Sequence, residues 1–125
     1  MTERTLSDIE SDERLLKEKL ESSQAYKRKL QTLKDDIMEL QLDFLHSLKL
    51  GDAYLTEPYE FEENNDFIQR VNNDAVLLEE SYDKRLEKVS QEIVEHENAL
   101  DNLYYERQVL NQKEKQEKGG KNGQS

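Results

Sequence analysis

Proline occurs once in this 125-residue chain, at Pro58, and three of its four glycines fall within the last seven residues. Sheets and layered domains need frequent turns, and turns draw on Gly, Pro, Asn and Asp. Gly51 and Pro58 therefore divide the chain into two long stretches with no breaker inside them. Charged residues make up 38% and apolar residues 34%. An ordinary globular domain has about 25% and about 45–50%. A thick α/β core is not expected, and what remains is a long-helix protein or a disordered one.

The first stretch, residues 6–50, carries Tyr26, Leu30, Leu33, Ile37, Leu40, Phe44 and Leu48 at steps of four and three. That is the repeat of a coiled-coil seam. Upstream, Ile9, Leu16 and Leu20 continue it through polar Glu13 and Ser23. Thr5 or Ser7 can cap its start, and Gly51 can end it in the left-handed conformation. The second stretch, residues 67–112, repeats the pattern as Ile68, Val71, Ala75, Leu78, Tyr82, Leu86, Val89 and Ile93, continuing through His96, Leu100, Leu103, Arg107 and Leu110. Between them lies an acidic connection, residues 51–66. Its end holds Asn64, Asn65 and Asp66, a cap for the second helix alternative to Pro58. Residues 1–5 read as a flexible start and 113–125 as a disordered tail without apolar residues.

Two amphipathic helices and one short connection predict an all-α fold, an antiparallel two-helix coiled-coil hairpin completed by association into a multi-helix bundle. With the turn centred near residue 56, Ile9 faces the region of Leu103 and Phe44 faces Ile68. No run of 18 apolar residues and no basic region followed by an apolar core occurs, so neither a membrane span nor a cleavable leader is expected.

Near the turn the apolar surface is wider than one seam. Ile37, Met38, Leu40, Leu42, Phe44, Leu45, Leu48 and Leu50 cover most of the first helix's circumference. Phe67, Ile68, Val71, Ala75, Val76, Leu77 and Leu78 do the same on the second, with Tyr54, Leu55, Tyr59 and Phe61 in the connection. A helix apolar nearly all round is buried on more than one side. The expectation is a partner-binding surface with Met38, Leu42, Phe44, Leu45, Leu48, Phe67, Ile68, Val71 and Leu78 as its anchors. The competing expectation is that the connection folds back over its own end.

Catalytic chemistry finds no support. Asp43 with His46, and Glu92 with His96, have same-face spacing, but the hairpin puts the two pairs far apart and neither supplies enough ligands. No phosphate loop, nucleophile constellation or HExxH motif occurs. No catalytic, cofactor-binding or metal-binding residue is expected, and no cofactor. The net charge of −11 disfavours nucleic acid and anionic membranes. The charge is uneven. Residues 51–66 carry Asp52, Glu57, Glu60, Glu62, Glu63 and Asp66 with no base, while Lys27, Arg28 and Lys29 lie opposite Lys84, Arg85 and Lys88 as a basic waist.

A Gly at the end of helix 1, a hairpin over residues 5–112 and the absence of Cys resemble the small helical-hairpin proteins of Gram-positive type VII secretion. The turn reads Leu48-Lys49-Leu50-Gly51-Asp52, with Gly but without the Trp of the Trp-x-Gly signature. In this it is similar to the ESAT/WXG-like hairpins encoded with LXG-domain toxins. That resemblance implies a non-enzymatic adaptor that binds the helical toxin domain side by side, alone or with a sister hairpin, and assists export. It also implies a cytoplasmic protein, with co-export as the variant. The Tyr-x-x-x-Asp/Glu export pattern of the broader family occurs as Tyr59-Glu60-Phe61-Glu62-Glu63, inside the connection. The alternatives are a prefoldin-like coiled-coil holdase, which needs strands between its helices, and a structural homodimer.

Overall fold

The fold was described from a computed structural model, which gives the backbone of residues 4–123 and the side chains of residues 4–117. Two helices, α1 (Leu6–Gly51) and α2 (Pro58–Gly123), pack against each other as a hairpin, joined through a 3₁₀ turn at Asp52–Tyr54. No strand occurs among the described residues, so the feature that a prefoldin-like assembly requires is missing there. The chain forms two compact units, Tyr26–Val89 around the turn, and the two terminal segments, Met1–Ala25 with Ser90–Ser125.

Thr5 caps α1. Its backbone N–H donates to Asp8 Oδ2 at 3.0 Å, and the Asp8 N–H donates to Thr5 Oγ1 at 3.2 Å. This reciprocal box satisfies two donors that the first helical turn leaves open. These bonds hold the Asp8 carboxyl below its usual range, with the Thr5 backbone N–H the largest influence and the Thr5 hydroxyl next. Arg4 pairs with Asp12 and lies 3.5 Å from Glu106. Of the segment expected as a flexible start, Arg4 and Thr5 make these contacts, and residues 1–3 lie outside the described residues. Ile9 and Leu103 are buried in the terminal unit, at 2% and 6% exposure. Arg107 spans the same unit to Glu10 at 3.2 Å and to Glu13 at 3.6 Å.

α2 takes the earlier of the two starts that the sequence left open and ends later than expected. The helix begins at Pro58, not at residue 67. Proline suits the first helical position, where no N–H is needed. Glu60 reaches back to accept from the Thr56 N–H at 3.4 Å. Asn64 is therefore not a cap for its own helix. Its side-chain amide donates to the Leu48 carbonyl at 3.1 Å and to Asp52 Oδ1 at 2.5 Å, closing the C-terminal end of α1. At the other end the helix runs to Gly123 instead of ending at 112, with residues 124–125 outside the described part. Lys, Glu and Gln dominate residues 113–118, and all three are strong helix formers.

Gly51 does not take the left-handed conformation. It sits at φ −61 and ψ −25, ordinary right-handed backbone, and the chain leaves it into the 3₁₀ turn. The break comes four residues later, where Leu55 is extended at φ −84 and ψ 139. With the Asn64 amide donating to the Leu48 carbonyl at the helix end, a left-handed cap is not required.

In the turn-proximal unit the core is Leu30, Tyr82 and Val89, with Ile37, Leu78 and Leu86 packed against it. On α2 this is the expected stripe. On α1 the contact line differs. Leu30 and Leu45 are buried, and Lys34, Ile37, Gln41 and Leu48 are half-buried between and beyond them. Leu33, Leu40 and Phe44, expected in the seam, stand exposed on its flank. From Leu30 to Leu48 the packed positions advance by about 3.6 residues per turn, the pitch of a straight helix. The expected stripe advances at the same rate and shares Leu30, Ile37 and Leu48 with that line, but runs one residue to its side at Leu33, Leu40 and Phe44.

Candidate partner interface

The turn-proximal unit, Tyr26–Val89, holds all nine anchors expected from the sequence, and it distributes them unequally. Leu45 and Ile68 are each only 8% exposed. The hairpin's own packing consumes both, so they are corrected from partner anchors to core residues. Met38, Leu48, Val71 and Leu78 are half-buried. Leu42, Phe44 and Phe67 are exposed. Phe44 meets Phe67 edge to face, with ring centroids 6.2 Å apart and planes at 82°. Phe44 therefore faces Phe67, one position before the expected Ile68. The aromatic pair joins the two helices, yet 47% of Phe44 and 43% of Phe67 stay open to solvent.

Two residues outside the nine are among the most open aliphatic side chains of this unit. Leu40 is 68% exposed and Leu77 63%, beside Leu42 at 67%. Leu40 and Leu77 both belong to the wide apolar surface expected from the sequence but not to its nine anchors. The usable signal was the count of apolar positions, which exceeds what one contact line can cover. The connection does not fold back over them. Tyr54 is 86% exposed, and Leu50 and Tyr59 are exposed as well. Single exposed apolar residues need no explanation, but a band of them on neighbouring turns marks an interaction surface.

The packed line also contains polar groups. Lys34 Nζ donates to Asp83 Oδ1 at 2.6 Å, from a position where a leucine would pack. That hydrogen bond, with the negative charge of Asp83 adding to it, raises the lysine above its ordinary value against the opposing effect of burial. Gln41 Oε1 is buried without a hydrogen-bond partner. Polar groups at such positions cost stability and select one pairing geometry.

The terminal unit carries a shallow groove of about 330 Å³, where Ile9, Val109 and Leu110 are bordered by Arg4 and Glu106. No group of three or more His, Cys, Asp or Glu side chains able to hold a metal occurs among the described residues. No helix among them is long and apolar enough to cross a membrane. No protein-family model, no curated protein and no solved structure matches this chain.

Proposed function

We propose that this chain is a non-enzymatic helical adaptor, which takes a second helical protein against its turn-proximal half and completes a multi-helix bundle with it. The observation that supports the reading is the apolar surface left open by a hairpin whose own seam is already filled: Leu40, Phe44 and Phe67 on one flank, Leu42 on the other side of α1, and Leu77 on α2. Such a surface is stabilised by covering it with another apolar face. The six acidic side chains of residues 51–66, with no base among them, favour a partner whose apolar face is rimmed by Lys and Arg. The resemblance to type VII secretion hairpins narrows the partner to the helical domain of an LXG toxin. On that reading the adaptor meets its cargo in the cytoplasm and assists its export.

Co-expression of the full chain with the helical domain of an LXG toxin encoded beside it tests this. The expected result is co-elution as a stable complex, abolished by Leu42→Glu while the variant keeps its helical circular dichroism. Separate elution, or a complex indifferent to Leu42→Glu, would overturn the proposal.

A further inference from the structure

One face of the turn-proximal unit is self-complementary. On α2, Glu60, Glu63, Phe67, Arg70 and Asp74 follow one another at steps of three and four residues, and the same stripe continues to Arg85 and Lys88. Such steps keep side chains on one side of a helix. Read from the turn, the stripe is acidic, then aromatic, then mixed, then basic. Among the described residues Glu63, Arg70, Asp74 and Lys88 form no ion pair within the chain. The Arg85 guanidinium lies 5.8 Å from the centre of the Tyr82 ring. On α1, exposed Leu33, Leu40 and Phe44 run along the same side, because Phe44 contacts Phe67 there.

From this face we infer that two copies of the chain pair antiparallel through it, with a two-fold axis close to Leu40. Asn64 reaches Leu48 across the hairpin. Eight residues back along α1 is Leu40, and eight residues on along α2 is Asn72, so the axis crosses α2 near Asn72. Reversal about that point sets Arg70 of each copy beside Asp74 of the other on α2 and Asp43 beside Asp36 on α1, so the net charge match comes from the two ends of the face. It also lays the acidic Glu60 and Glu63 over the basic stretch of Arg85 and Lys88, twice by symmetry. The Leu40 side chains meet at the centre, and the Phe44–Phe67 pairs cover them. A parallel pairing would stack acid on acid and base on base, which like-charge repulsion opposes. An isologous contact of this kind closes on itself as a dimer.

The dimer does not rest on the adaptor reading, although it covers Leu40, Phe44 and Phe67 of the same open surface; Leu42, about 200° round α1 from Leu40, stays outside it, so Leu42→Glu tests the adaptor and not the dimer. Sedimentation of the full chain tests it with two complementary variants. Arg85→Glu with Lys88→Glu makes both ends of the face acidic; Glu60→Lys with Glu63→Lys makes both basic. The wild type is expected as a dimer, and each variant alone should dissociate by at least about tenfold more readily. Mixed in equal amounts, the two variants should restore a dimer containing one of each. The chain has no cysteine. Leu40→Cys should therefore oxidise to a single disulfide-linked dimer, a readout that stands even if a charge variant fails to fold. A monomeric wild type, or variants that neither weaken alone nor pair when mixed, would overturn the inference. So would a failure of Leu40→Cys to cross-link.

Discussion

Lys34 and Asp83 meet across the two helices at 2.6 Å, where the pattern of leucines predicts only hydrocarbon. The Lys34 side chain is 18% exposed and Asp83 53%, so one end of the pair is shielded and the other wet. The pair fixes which turn of α1 lies against which turn of α2, more than it adds stability.

Its pH dependence follows from the raised lysine. A group whose value is higher folded than unfolded stabilises fully below the unfolded value and loses that contribution as pH rises through the folded one. The Lys34–Asp83 contribution is therefore complete at neutral pH and disappears above the ordinary lysine value of 10.5. Thermal melts of the wild type and Asp83→Asn should differ at pH 7 and converge at strongly alkaline pH. A difference that persists there would assign the effect to packing.

At the other end of the scale, the depressed Asp8 stabilises the start of α1 above its ordinary value of 3.8 and loses that contribution as pH falls through its lowered one. Thr5→Ala removes the hydroxyl acceptor of the cap and should cost about 1 kcal/mol. Chemical denaturation near neutral pH measures it.

Asn64→Ala leaves the Leu48 carbonyl and the Asp52 carboxylate without their donor. The expected cost is about 1–2 kcal/mol, with faster amide exchange confined to the last turn of α1 and the 3₁₀ turn. Amide exchange resolved by residue would locate it.

Leu30 and Leu40 separate seam from surface. Leu30 is 5% exposed in the core beside Tyr82 and Val89. Leu30→Ala should destabilise the hairpin by about 2–3 kcal/mol through the cavity it leaves. Leu40→Ala, on the isolated hairpin at low concentration, should change stability by no more than about 0.5 kcal/mol. Urea midpoints of the two variants decide whether the contact line runs where the structure puts it.

The architecture was legible because breakers are so few. One proline, one internal glycine and two periodic stretches leave little besides a hairpin. The α2 stripe was legible to the residue, since Ile68, Tyr82 and Val89 on it are apolar and buried. The α1 line was not. Its apolar stripe and its packed line share Leu30, Ile37 and Leu48 but lie one residue apart between them, so Lys34 and Gln41 take positions that the leucines at 33 and 40 seemed to claim. The start of α2 was obscured because Asn64 looks like a cap for the helix it belongs to, while its amide serves the helix before it. The width of the apolar surface could be counted from the sequence. That Leu45 was spent inside depended on which side of the α1 stripe met α2, and could not be counted.

Calorimetry of the full chain titrated with the helical toxin domain addresses the central claim most directly. If the turn-proximal band is covered by a partner, binding carries a negative heat-capacity change, because apolar surface leaves water. That change should shrink, with the affinity, in Leu42→Glu. Binding with no heat-capacity change, or no binding at all, would contradict the account.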